Sequence, residues 1–131
     1  MKEEYLHKVS EHLDQRLSEI TRVDFQAKEN SANVRILEEN KGSIGKTLVS
    51  KNRGSLHYLL TLTERKGDHS NNKGVRLQVR FKKEDQPLSE PIEDGSTWHG
   101  PKNASTTHQD IINGILSRNI REQIIEGLQT R

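Results

Sequence analysis

Val75-Arg76-Leu77-Gln78-Val79-Arg80-Phe81-Lys82 alternates without interruption between apolar and polar side chains. A period of two belongs to an extended strand, whose successive side chains point to opposite faces. The stretch therefore predicts a strand that turns Val75, Leu77, Val79 and Phe81 to a core and Arg76, Arg80 and Lys82 away from it. Upstream, Leu56, Tyr58, Leu60 and Leu62 alternate with His57, Leu59, Thr61 and Thr63. Two such runs joined by a polar loop, here Lys66 to Gly74, read as an antiparallel hairpin.

Working outward from the hairpin, shorter extended segments are expected at Val23–Ala27, Asn33–Glu38 and Thr47–Ser50, with a turn from Asn40 to Gly45. The segment from about Lys2 to Arg22 is different. Leu6, Val9, Leu13, Leu17 and Ile20 recur at spacings of three and four, the stripe of a helix that packs on one side. Residues 84–106 hold Pro87, Pro91, Gly95, Gly100 and Pro101, which predicts a long irregular connection with at most a short edge strand near Ile92 or Trp98. Trp98, the one tryptophan, is expected to anchor that loop to the core.

A second helix is expected from about Thr107, where Thr107 and Asp110 form a capping-box pair. Its apolar pattern has two faces. Ile111, Ile112, Ile115 and Leu116 share one, and Ile120, Ile124, Ile125 and Leu128 share another roughly opposite. Either the helix breaks near Ser117-Arg118-Asn119, or its second half meets a protein partner or a second copy of the chain through Ile120, Ile124, Ile125 and Leu128. Together these elements predict one α+β domain over residues 1–131, an antiparallel sheet of four to five strands flanked by an N-terminal and a C-terminal helix.

Composition narrows the chemistry. The 131 residues include no cysteine, which excludes disulfides, zinc–thiolate sites and thiol nucleophiles. No apolar run reaches the roughly 20 residues that span a bilayer, and no signal-peptide core follows Met1 to Tyr5, so a cytoplasmic location and no membrane partner are expected. Leu, Ile, Val and Phe supply 31 residues, enough to fold but a thin core.

The charge is unevenly distributed. Residues 41–83 carry eleven basic side chains against two acidic ones, a net of +9. Residues 1–40 have a net of −3 and residues 84–131 a net of −4. Such asymmetry points to a polyanionic partner unless the acidic ends fold over the basic middle.

Motif-like stretches add little. Gly45-Lys46-Thr47 matches the end of a phosphate-binding P-loop, but Asn40 stands where its first glycine belongs and Leu48-Val49-Ser50 looks extended rather than helical. Glu64-Arg65-Lys66 has the Glu-x-Lys form of metal-dependent nucleases, a remote reading without a second placed acid. His99, His108 and Asp110 are a metal set only if the chain brings them together, so neither metal nor cofactor is expected. No catalytic residue is assigned.

The order helix, antiparallel strands, helix resembles that of double-stranded RNA-binding domains. This chain is longer, and its last helix starts Thr107-His108-Gln109-Asp110 where that family has a lysine-rich start. A small chain rich in Lys, Glu and Asn is also similar in style to phage and mobile-element accessory proteins. The leading expectation is a non-enzymatic binding module whose basic sheet face holds nucleic acid or a phosphorylated ligand through Lys51, Arg53, Arg76, Arg80 and Lys82. The alternative is a protein-interaction or inhibitor module acting through the Ile-rich C-terminal helix or as a homo-oligomer.

Overall fold

A computed structural model describes residues 2–29, 35–37, 41–67, 70–83, 85–99 and 107–129. Within these, side chains are described except at 2–4, 29, 35–37, 41, 63–67, 70–73, 94, 96–99 and 129. The architecture is α+β. The order is α1 (Lys2–Thr21), β1 (Gln26–Glu29), β2 (Arg35–Leu37), β3 (Lys41–Val49), β4 (Ser55–Gly67), β5 (Ser70–Lys82), β6 (Ile92–His99), α2 (His108–Ile115) and α3 (Arg118–Gln129).

The strands form one antiparallel sheet with the order β1-β3-β4-β5-β6. β3 pairs with β4 along the whole length of β3, from Lys41↔Thr63 to Val49↔Ser55. The other edge of β3 is shared by β1, opposite residues 46–49, and β2, opposite residues 41–43. Five positions across the sheet therefore hold six strands.

The alternation of the central hairpin is realised as expected. Leu56, Tyr58, Leu60 and Leu62 of β4 and Val75, Leu77, Val79 and Phe81 of β5 are all buried, on the face that Ile44 and Leu48 of β3 share. Onto this face α1 docks its stripe: Leu6, Val9, Leu13 and Leu17 are at most 2% exposed. At about 1.5–3 kcal/mol per buried aliphatic side chain, those four contribute roughly 6–12 kcal/mol relative to exposure. This explains why a polar helix of low overall hydropathy stays folded against the sheet. α1 lies on β3 and β4, while α2 and α3 lie on α1, β5 and β6.

Several expectations are corrected. Asn40 to Gly45 is not a turn: residues 41–45 belong to β3. Gly42 and Gly45 resemble turn residues in sequence, but here they sit within a ladder, Gly42 opposite Leu62 and Ile36, and Gly45 opposite Leu59. Within the polar stretch Lys66–Gly74, the described residues 66–67 and 70–74 are strand rather than loop. The β4–β5 ladder continues through Glu64↔Lys73, Arg65↔Asn72 and Lys66↔Asn71 to Gly67↔Ser70. Backbone pairing needs no apolar side chain, so a strand extension of this kind leaves no hydrophobic pattern. In the Pro/Gly-rich region the edge strand expected near Ile92 or Trp98 is present and longer than expected: β6 has eight residues and pairs with β5 from Asn72↔His99 to Val79↔Ile92. Trp98 lies in this strand opposite Lys73, not in a loop.

The two-faced C-terminal pattern is resolved by a break. Leu116 ends α2 at φ −100° and ψ 55°, with its N–H donating to Ile112 O at 2.8 Å. α3 starts at Arg118, and the Arg121 N–H donates to Ser117 O at 2.9 Å. The change of direction lets both apolar faces enter one core: Ile111, Ile112, Ile115 and Leu116 from α2 and its end, and Ile120, Ile124 and Leu128 from α3. The expectation that Ile120, Ile124, Ile125 and Leu128 await a partner is thereby corrected. Three of them are at most 3% exposed within this chain, and Ile125 is half-buried.

Thr107 and Asp110 form the expected capping box. The Asp110 N–H donates to Thr107 Oγ1 at 3.1 Å and the Thr107 N–H to Asp110 Oδ2 at 2.9 Å. Those bonds hold the Asp110 carboxyl below the usual carboxylate range. No helix among the described residues is long and apolar enough to cross a membrane.

Candidate functional site on the open sheet face

All three helices cover the same side of the sheet, so the opposite face is formed by the other parity of each strand. Its rows follow from the register. Lys28, Thr47, His57 and Arg80 stand in line across β1, β3, β4 and β5. On one side lies the row Gln26, Val49, Ser55 and Lys82. On the other lie Gly45, Leu59, Gln78 and Glu93, then Ser43, Thr61, Arg76 and Gly95. Glu93 is the one carboxylate at these positions among the described side chains, and the Gln78 amide donates to it at 3.3 Å.

The structure brings together three of the five cations singled out in the sequence. Arg76 and Lys82 are exposed and Arg80 half-buried on this face. Among the described residues no carboxylate forms an ion pair with any of the three. The described ion pairs are Arg16–Glu19, Lys46–Asp14 and Arg118–Glu122, all elsewhere. Lys82 bends to its own connection, where Nζ donates to Lys83 O at 3.2 Å and to Gln86 O.

Lys51 and Arg53 stand apart, exposed in the β3–β4 turn. That turn is held by Ser50: its N–H and its hydroxyl both donate to Gly54 O at 3.0 Å, and its Oγ accepts from the Arg53 N–H at 2.8 Å. Gly54 has φ +84°, and a Cβ there would collide with Lys82 O. The turn thus packs against the end of β5. Lys51 and Arg53 line a cleft of about 430 Å³ with Arg22, Asp24, Gln26 and Val49.

Lys46, counted among the central basic residues, faces the other way. It is opposite Tyr58, on the helix side, where its Nζ donates to Asp14 Oδ2 at 2.7 Å. The Tyr58 hydroxyl donates to Asp14 Oδ1 at 2.5 Å and is 2.6 Å from Ser10 Oγ. Burial pushes the Asp14 carboxyl up, outweighing the downward pull of Lys46 and Tyr58. Gly45-Lys46-Thr47 is therefore mid-strand and its lysine is held in an ion pair.

The sequence reading missed Arg22, Lys28 and Thr47 as site residues. Lys28 was accessible to it, because Lys28 has the opposite parity to Phe25 and Ala27. Thr47 was not, since its place depends on the strand register. Of the other candidates, Glu64, Lys66 and His99 have side chains outside the described residues. His108 stacks on His12, with ring centroids 5.6 Å apart, and no group of metal-binding side chains is found among the described residues. No protein-family model, no curated protein and no solved structure matches the chain.

Proposed function

We propose that this chain is a non-enzymatic binding module whose open sheet face holds a polyanion, either a nucleic acid or a phosphorylated ligand. The observation that carries the reading is the segregation of the sheet's two sides. Arg76, Arg80 and Lys82 occupy the face that none of the described helices covers, while α1, which bears Glu11, Asp14 and Glu19, lies on the opposite one. The acidic N-terminal helix therefore neutralises Lys46 and leaves the cationic strand to solvent. Two-residue steps along a strand cover about 6.5–7 Å, a spacing that suits a row of phosphates. Among the described side chains no Phe, Tyr or Trp stands on this face, since Tyr58 and Phe81 are on the core side, and the His57 ring is held between Thr47 and Ser55. Contact through phosphates fits better than base stacking.

The test is binding of a random-sequence oligonucleotide at stepped salt. Wild type should bind at low salt with a steep decline. The double variant Arg76→Gln/Arg80→Gln should lower the slope of log K against log salt by about 2, near 0.9 for each phosphate no longer neutralised. No binding of either the oligonucleotide or pyrophosphate at low salt, or binding indifferent to salt, would remove the reading.

A further inference from the structure

We propose that the depression centred on His57 is a phosphoryl-binding subsite, in which Arg80, Gln78 and the Thr47 hydroxyl receive the oxyanion and His57 orients that hydroxyl. The proposal rests on the polyanion reading above and assigns it a specific contact point.

The depression measures about 200 Å³ and is lined by Gly45 to Thr47, His57 to Leu59, Gln78 and Arg80. At about 30 Å³ per water this is room for six or seven waters, enough for one phosphoryl group with part of its hydration. Its shape follows from the register. Gly45 stands opposite Leu59 and contributes no side chain, so the surface dips between Thr47 and Gln78. Thr47 and Arg80 flank His57 on adjacent strands. With strands about 4.8 Å apart, the two are separated by roughly 10 Å at the backbone, and their side chains can converge on a group seated over the ring.

The imidazole is held on both sides. Nδ1 is 3.1 Å from Thr47 Oγ1 and Nε2 is 2.9 Å from Ser55 Oγ. A neutral imidazole has one donor and one acceptor, so one hydroxyl gives it a proton and the other receives one. When Nδ1 carries the proton, Thr47 Oγ1 accepts from the ring and its own proton is free to turn into the depression. The imidazolium does the same on both sides. An oxyanion beside Thr47 therefore selects the forms protonated at Nδ1.

The charged groups around the ring act in the same sense. Arg80 and Lys28 share its row, Lys82 stands beside Ser55 in the next, and Glu93 is two strands away, engaged by Gln78. Burial lowers the His57 pKa in the free protein, and a bound dianion opposes that.

The experiment follows the His57 ring by NMR while wild type is titrated with pyrophosphate and, separately, with a duplex oligonucleotide. Either probe should shift the His57 resonances saturably and raise its pKa. Thr47→Val should weaken binding about tenfold, as expected for a hydrogen bond to a charged group, and Thr47→Ser should restore it. A response to pyrophosphate alone marks a small phosphorylated ligand, and a response to the duplex alone marks a phosphodiester backbone; each supports the subsite. Saturation with the His57 ring unmoved, or wild-type affinity in folded Thr47→Val, overturns it. If the oligonucleotide still binds in that case, the polyanion reading survives without the subsite. If neither probe binds, both fall.

Discussion

Lys46 Nζ and Asp14 Oδ2 meet at 2.7 Å between β3 and α1, with side chains 9% and 19% exposed. The pair ties the acidic helix to the basic segment on the side of the sheet away from the candidate site. Removing one partner leaves the other charge nearly buried without its counterpart, which typically costs about 3–5 kcal/mol. Asp14→Leu and Lys46→Met should each destabilise strongly. The double variant Asp14→Leu/Lys46→Met should be much milder, because no uncompensated charge remains. Urea unfolding of the four proteins measures the coupling. Strict additivity of the two single losses would mean that the pair does not act as a unit.

A second contact fixes where α3 sits. Gly127 lies against Phe81, and a Cβ at 127 would come within 2.6 Å of Phe81 Cε2 and 2.9 Å of Cζ. Gly127→Ala raises helix propensity by about 1 kcal/mol. Overpacking a buried ring typically costs about 1–3 kcal/mol. The steric term should win, with a net loss of about 1 kcal/mol. Phe81→Leu in the same chain should turn the alanine from harmful to neutral or favourable. Thermal unfolding decides this, and a stabilised Gly127→Ala single variant would refute the close packing.

The contrast between what could and could not be read from the sequence has a physical basis. Period-two alternation at 56–62 and 75–82 located the hairpin and the parity of Arg76, Arg80 and Lys82, because one face of each strand is buried. The stripe in α1 and the Thr107–Asp110 cap were legible for the same local reason. The polar continuation of β4 and β5, the glycine-bearing start of β3 and the edge strand β6 carry little or no alternation. They are held by backbone pairing with neighbours, which local pattern does not encode. The side of the sheet taken by Lys46 follows from its parity with Ile44 and Leu48, whereas the alignment of Thr47 with His57 and Arg80 depends on register between strands.

The α1–α2 junction should make stability depend on pH. His108 lies 5.2 Å from the Tyr5 ring and 5.6 Å from His12, between centroids. Burial holds the His108 pKa below the usual 6.5, and the nearby His12 and Lys8 add to the effect. Burial also pushes the Tyr5 hydroxyl up to about 12, so it stays protonated throughout the neutral range. Because the folded pKa of His108 is lowered, the unfolded chain binds more protons just below pH 6.5, and stability rises with pH there. The contribution is intact above that value and is lost as pH falls from it through the folded pKa. His57 acts with the same sign. Urea midpoints should therefore drop between pH 7.5 and 5.5, and His108→Gln should flatten the drop. An unchanged slope in that variant would assign the effect elsewhere.

Arg22 separates stability from binding at the larger cleft. Its φ of 58° is left-handed, and its N–H donates to Ser18 O at 2.9 Å, the bond that closes α1. A non-glycine residue there costs about 1–2 kcal/mol, against which glycine loses about 0.5–1 kcal/mol in entropy. Arg22→Gly should thus stabilise the fold by about 0.5–1 kcal/mol. It also removes a cation from the cleft that Lys51 and Arg53 line, so polyanion affinity should fall and the salt slope should shrink by about 0.9, the share of one neutralised phosphate. Lys51→Gln and Arg53→Gln should reduce affinity to a similar degree while leaving the unfolding midpoint unchanged. If Arg22→Gly gains stability and keeps full affinity, the cleft lies off the path of the polyanion, and the contact surface is confined to the open face of β3, β4 and β5.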